Sequence, residues 1–205
     1  MSKKPIIVFE GIEGTGKSHH IRNVAKYLKK NNKKFIKIRE PGGSLNSEKI
    51  RKLILNNKST FNRYTDLLLY LSARSENIEL IKKNIGKKII LIDRFSDSTI
   101  AYQHYGMGVN IKFIKNINNY LLKDIDIDFT FLNIVNQENM KKRLTKRKKL
   151  NRYDKFNYSF YNKVQNGFIK IFKKKPKKYM KIDSNLDIKL NENIILNKID
   201  NLIKL

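Results

Sequence analysis

Cysteine is absent from the 205 residues, which excludes disulfides, thiolate metal sites and a cysteine nucleophile. Proline occurs only three times, at Pro5, Pro41 and Pro176, and no repeat or low-complexity linker interrupts the chain. No apolar run approaches the roughly 20 residues that a membrane-spanning helix needs, so no membrane role is expected. The start, "MSKKPIIVFEG", carries basic residues and an apolar run. That run is too short for a signal-peptide core and leads straight into a glycine loop, so it reads as strand. A cytoplasmic location fits these absences.

Acidic residues are scarce as well, with 18 Asp and Glu against 45 Lys and Arg and a net charge of +27. Such a charge suits a polyanionic ligand. The lysines, however, are spread through "YLKKNNKK", "IKKNIGKK" and "FKKKPKKYMK" among many Asn and Ile residues. They read mainly as solvated faces. No recognised nucleic-acid motif is present, and no nucleic-acid partner is expected.

What is present is an alternation of short apolar runs with helical periods. The length and the 40% hydrophobic content are enough for one domain with a buried core. "PIIVFE" reads as a buried strand, followed by a helix from Ser18 to Lys30 with Ile21, Val24, Ala25 and Leu28 on one face. "KFIKIRE" is a second strand, stopped at Pro41-Gly42-Gly43, with helices near Ser47–Asn56 and Arg63–Lys83 behind it. "KKIILIDRF" is the most apolar strand and is expected at the centre of the sheet. Helices over Asp97–Tyr105 and Ile111–Leu122, the strand "IDFTFLNI" and a helix over Gln137–Lys146 lead into the basic segment "KRKKLNRYDKF". A helix over Ser159–Lys173, the strand "KYMKID" and a closing helix complete the chain. Strands separated by helices predict a parallel five-stranded sheet covered on both faces, a three-layer α/β domain.

Gly11-Ile12-Glu13-Gly14-Thr15-Gly16-Lys17-Ser18 fits the phosphate-loop pattern without a mismatch. The glycines let successive backbone N–H groups converge on a nucleotide phosphate, and the helix that follows adds its partial positive end. Lys17 is expected to bridge the β- and γ-phosphates, and Ser18 to ligate Mg²⁺. His19 and His20 lack further ligands at suitable spacing and read as packing or surface residues.

In doubly wound sheets the ligand lies across the carboxyl ends of the strands. Those ends here are Glu10, then Arg39-Glu40-Pro41-Gly42-Gly43, then Asp93-Arg94. Asp93 closes an apolar strand, the setting of a carboxylate that helps hold Mg²⁺, and its capping of the next helix is compatible with that. Arg94 suits a second phosphate because a guanidinium grips two oxygens at once. Arg51 could reach the same anion or simply be solvated. Tyr70 and Arg74, four apart, project from one helix face and suit a nucleobase pocket, although a core tyrosine with an arginine at its rim is the commoner outcome of that spacing. Ser98, Thr99 and Tyr102 form a similar polar and aromatic face.

The series "FEGIEGTGKS", "REPGG" with "EKIRKLIL", "LLYLSARSE", "IDRFSDSTIAYQ" and the basic "RKKLNRYD" resembles the thymidylate kinase family over nearly the full chain. The resemblance implies a P-loop NTPase fold with a lid near residues 146–156, ATP and Mg²⁺ as cofactors, dTMP as acceptor and a homodimer packed through helices. It also implies that Tyr70 stacks on thymine, Arg74 donates to a thymine carbonyl and Thr99, with Ser98 beside it, meets the base edge. Tyr102 would crowd the 2′ position of the sugar and Glu13 would engage its 3′-hydroxyl. Arg94, with Arg39 and Arg51, would hold the acceptor phosphate beside Pro41, and the Glu40-Pro41 bond is a candidate cis peptide. Ile12 to Thr15 hold no arginine, so the chain resembles the family's subclass, common in bacteria, whose lid supplies the catalytic charge; that resemblance implies Arg152 first and then Arg147. Two departures from the family pattern are Phe95, where Tyr or His is usual, and "QHYGMG" in place of a more glycine-rich, arginine-containing loop.

Overall fold

A computed structural model describes residues 4–147 and 150–204, so Lys148 and Lys149 of the expected lid lie outside the described residues. Five strands, β1 (Ile6–Glu10), β2 (Phe35–Arg39), β3 (Ile89–Asp93), β4 (Phe129–Ile134) and β5 (Tyr179–Asp183), form one sheet in the order β2-β3-β1-β4-β5. Every pairing is parallel. The expected parallel α/β architecture is therefore present, with one correction. β1, not β3, occupies the centre, and β3 lies one place away between β2 and β1. All five residues of β1 are buried, whereas β3 ends at the half-buried Asp93. Apolarity marks an interior strand but does not rank interior strands.

The two faces of the sheet follow from side-chain alternation. Ile7 and Phe9 of β1 point with Leu91 and Phe131 toward α1 (Lys17–Lys30) and α8 (Ile188–Ile203), where Val24, Leu28, Ile195 and Ile199 meet them. Ile6 and Val8 point the other way, with Ile90 and Ile92, toward Ile78 and Ile81 of α3 (Arg63–Asn84). Each such fully buried side chain is worth about 1.5–3 kcal/mol of transfer free energy. Between α1 and α3 in sequence, α2 (Leu45–Leu55) is capped by the Ser44 side chain, which accepts from Ser47 N.

The helix expected over Asp97–Tyr105 has a different form. A single α-turn, α4 (Ser96–Thr99), widens into a π-helix over Ile100–Gly106, and Met107 N donates to Tyr102 O five residues back. The widened turn buries three consecutive residues, Ala101, Tyr102 and Gln103. It lies flat on α7 (Tyr158–Lys174) because glycines leave room: a Cβ on Gly106 would come 2.7 Å from the Phe160 ring, and one on Gly167 would come 2.5 Å from Tyr105. Sequence periodicity carries no signal for this device. The helices α5 (Ile111–Leu121) and α6 (Gln137–Thr145) fall where expected, and a 3₁₀ turn over Arg152–Lys155 follows.

Candidate active site

The parallel register aligns the carboxyl ends of the strands, with Arg39 opposite Asp93 and Asp93 opposite Phe9. A cleft of about 430 Å³ opens there. β1 leaves the sheet through Gly11, whose φ is +135°, and a Cβ at that position would sit 2.2 Å from the Asn133 carbonyl oxygen. Only glycine fits that exit. The loop then curls into α1 through Gly14 and Gly16, both with positive φ.

Lys17 is folded into the loop, its Nζ donating to the carbonyls of Gly11 and Ile12, each at 2.7 Å. Burial lowers its pKa to about 7, with Arg94 adding to the effect and Asp93 and Glu13 opposing it. The Ser18 hydroxyl donates to Asp93 Oδ2 at 3.1 Å, so the two residues expected at the metal are together. Among the described residues no group of three or more His, Asp or Glu side chains could hold a metal on its own. His20 is buried, and His19 stands at the edge of the cleft and meets Glu192 at 2.5 Å.

Across the loop, Arg94 takes a left-handed backbone, φ 67°, which is uncommon outside glycine. Its N–H donates to Phe9 O at 3.0 Å, tying the turn to β1. The conformation swings the guanidinium over the loop, where it donates to Gly11 O at 2.8 Å and to Glu13 Oε1 at 2.7 Å. The other oxygen of Glu13 accepts from the Tyr102 hydroxyl, and the Arg94 guanidinium lies 5.1 Å from the Tyr102 ring centroid. Burial acts to raise the Glu13 pKa, but Arg94 and Lys17 overcome it and hold the carboxyl below its ordinary value.

The back of the cleft is built around Arg74, which is only 1% exposed. It donates to Glu40 at 2.9 Å, to Asn118 Oδ1 at 2.7 Å and to Thr99 Oγ1 at 2.9 Å. A guanidinium carries five N–H donors, so donors remain for a ligand carbonyl. Tyr70, Ser98 and Thr99 line the same space. The Glu40-Pro41 peptide is cis. Arg51 donates to Pro41 O at 2.6 Å, while Arg39 is turned onto Glu48 at 3.0 Å, so both arginines stand at the cleft wall in the service of the turn.

The lid arginines separate. Arg147 lines the cleft and pairs with Asp154. Arg152 is not among the cleft-lining residues. It pairs with the buried Asp66, which also accepts from the Tyr153 hydroxyl, and its guanidinium lies between the Phe61 and Tyr153 rings. Arg143, not singled out from the sequence, also lines the cleft and ties the loop to the residue after β5, donating to Gly14 O at 3.0 Å and Ser184 O at 2.7 Å. A run of Lys and Arg hides it, because one more cation there has no contrast. Asp66 was missed for the opposite reason, since a first-turn carboxylate on a helix reads as a dipole partner.

A parallel sheet, a phosphate loop with a Ser–Asp oxygen pair, and Arg39, Arg51, Arg74 and Arg94 lining the same cleft define a P-loop phosphotransferase. The chain belongs to the thymidylate kinase family, whose model matches residues 9–195. It is 38% identical over 207 residues to the thymidylate kinase of Buchnera aphidicola subsp. Schizaphis graminum, covering 97% of this chain and 96% of that one. It is 37% identical over 169 residues to that of Thermosipho africanus, covering 82% and 84%. Among solved structures, the crystal structure of thymidylate kinase from Ehrlichia chaffeensis matches with a TM-score of 0.78 and 30% identity, over 97% of this chain and 99% of that one.

Proposed function

We propose that this chain transfers the γ-phosphoryl group of ATP to dTMP, giving dTDP and ADP, in the cytoplasm. The observation that carries the reading is a single cleft in which one ion pair links the phosphate loop to the arginine-lined side. Arg94 touches the phosphate loop and, through Glu13, the Tyr102 side of the acceptor pocket. A loop that served hydrolysis alone would have no need of an arginine-lined extension of its own cleft.

The acceptor phosphate is already an anion at neutral pH, so the reaction needs no general base. Catalysis rests on alignment and on positive charge around the transferring group. Arg94 grips the acceptor phosphate and Lys17 the donor phosphates. Arg147 supplies the lid charge, since it already faces the cleft, while Arg152 fastens the lid to α3 through Asp66. Closure of the lid segment that carries Arg147 and Arg152 excludes water and suppresses hydrolysis. Tyr70 stacks on the base, Arg74 and Thr99 meet its polar edge, and Tyr102 crowds the 2′ position. Ser18 and Asp93 offer two hard oxygens side by side, a donor set that fits Mg²⁺ completed by phosphate and water. When bound, the ion would neutralise phosphate charge.

We also assign the chain to a homodimer packed through α2 and α3, where Leu53 is 53% and Leu68 is 49% exposed. Light scattering on the purified chain tests that assignment, and a monomer at micromolar concentration contradicts it. The function itself is tested by offering dTMP, dUMP, UMP and thymidine with ATP and measuring ADP release. Preference for UMP or thymidine would assign the fold to a neighbouring kinase.

A further inference from the structure

A second cavity, of about 580 Å³, lies on the other side of Phe95 from the cleft. Val8, Ile100, Leu122 and Ile127 give it an apolar back wall, and Lys115, Lys123, Lys175 and Lys178 stand around it. Lys178 donates to Asp126 at 2.7 Å, and Lys175 is near enough to Asp97 to favour its charged form. Two acids form its floor. Glu10 accepts from Phe95 N at 2.8 Å and Ser98 Oγ at 2.5 Å, and Asp97 accepts from the Tyr179 hydroxyl at 2.6 Å. Burial first, and then the neighbouring Asp97, pushes the Glu10 pKa up to about 8, and burial also raises that of Asp97.

One wall residue is incompletely used. Asn118 is 6% exposed, its Oδ1 accepts from Arg74, and its Nδ2 is buried with no partner. A buried donor left unmade is costly, so a small shift of Asn118 that opens its amide to a ligand acceptor gains more than an exposed contact would. Phe95 is the other link, because it lines both cavities and the Arg74 guanidinium lies 5.2 Å from its ring centroid.

We propose that this cavity is a second ligand site, for a small acid with an apolar body and one anionic head, and that its occupation tightens the acceptor pocket by fixing Asn118 and Phe95 against Arg74. The apolar body lies on the back wall and the head meets the lysines and the Asn118 amide. The effect on dTMP rests on the kinase reading above, whereas binding of the acid does not.

The test uses 2-naphthoate and its neutral counterpart 2-naphthylmethanol, titrated calorimetrically into the full chain with and without saturating dTMP. The site predicts one saturable naphthoate event, weaker for the alcohol. Lys115→Glu with Lys123→Glu weakens it on the order of tenfold, as reversal of two partly screened charges should. Asn119→Trp, at the cavity rim, blocks it without touching the core. Linkage requires dTMP to raise naphthoate affinity by the factor by which naphthoate raises that of dTMP, on the order of fivefold. No saturable binding, or binding indifferent to the rim variants, overturns the site. Displacement of naphthoate by dTMP places the probe in the active cleft and overturns it too. Independent binding of the two overturns the coupling, and a failure of dTMP alone to bind counts against the kinase reading instead.

Discussion

Arg94 and Glu13 face each other at 2.7 Å across the mouth of the phosphate loop, with side chains only 18% and 11% exposed. Neither residue is free to serve the donor pocket without affecting the acceptor pocket. Truncating one leaves the other charge buried without its main partner. Glu13→Ala should therefore destabilise the fold by about 3 kcal/mol, near the lower end for a broken buried pair because some solvent reaches it. Glu13→Leu combined with Arg94→Met should recover most of that stability in urea denaturation while remaining inactive. A double variant as unstable as the single would mean the pair is not what stabilises the loop.

The lid arginines should behave differently from one another. Arg147→Ala is expected to lower kcat by about 10³, the scale of an arginine finger, with little change in the KM for dTMP. Arg152→Ala removes the partner of a carboxylate that is 1% exposed, so it should lower Tm and cost kcat much less. Steady-state kinetics with differential scanning calorimetry separates the two, and the reverse ranking would return the catalytic role to Arg152.

Most of the fold was legible because strand runs and helical periods are strong signals, and the phosphate loop declared its own flanking strand and helix. The pairing of Ser18 with Asp93, and of Tyr70 with Arg74 in one wall, followed from strand-end and helix-face reasoning. What escaped was set by tertiary context. The centrality of β1 depends on which strands pair, the π-turn at Ile100–Gly106 on close approach to α7, and the division between Arg147 and Arg152 on the buried Asp66. None of these leaves a local pattern in sequence.

Gly11 tests the loop's backbone directly. With φ +135° and the Asn133 carbonyl 2.2 Å from a would-be Cβ, Gly11→Ala must displace the end of β4 or the loop itself. Backbone strain of this kind costs about 1–3 kcal/mol before the clash is added. The expected result is a sharply lowered Tm and no ATP binding in a fluorescent-nucleotide titration. By contrast Gly86, with nothing within 4 Å of its Cβ position, should tolerate Asn with a small loss.

His20 predicts an acid sensitivity. It is 3% exposed, and burial, with His19 nearby, lowers its pKa from 6.5 to about 4 while Glu192 opposes the shift. Between those values the unfolded chain binds the proton and the folded chain does not, so stability rises with pH there and is lost as pH falls from 6.5 toward 4. The contribution is about 3 kcal/mol at most. His20→Gln should flatten that part of the pH–stability curve, and an unchanged slope would assign the acid sensitivity to other groups.

The most direct measurement is ADP release from ATP and Mg²⁺ with and without dTMP. The kinase assignment predicts ADP release that depends on dTMP, saturates with it and is matched one for one by dTDP. ATP hydrolysis indifferent to dTMP, stimulated by DNA and abolished by salt, would contradict it and make the charge of +27 the functional feature.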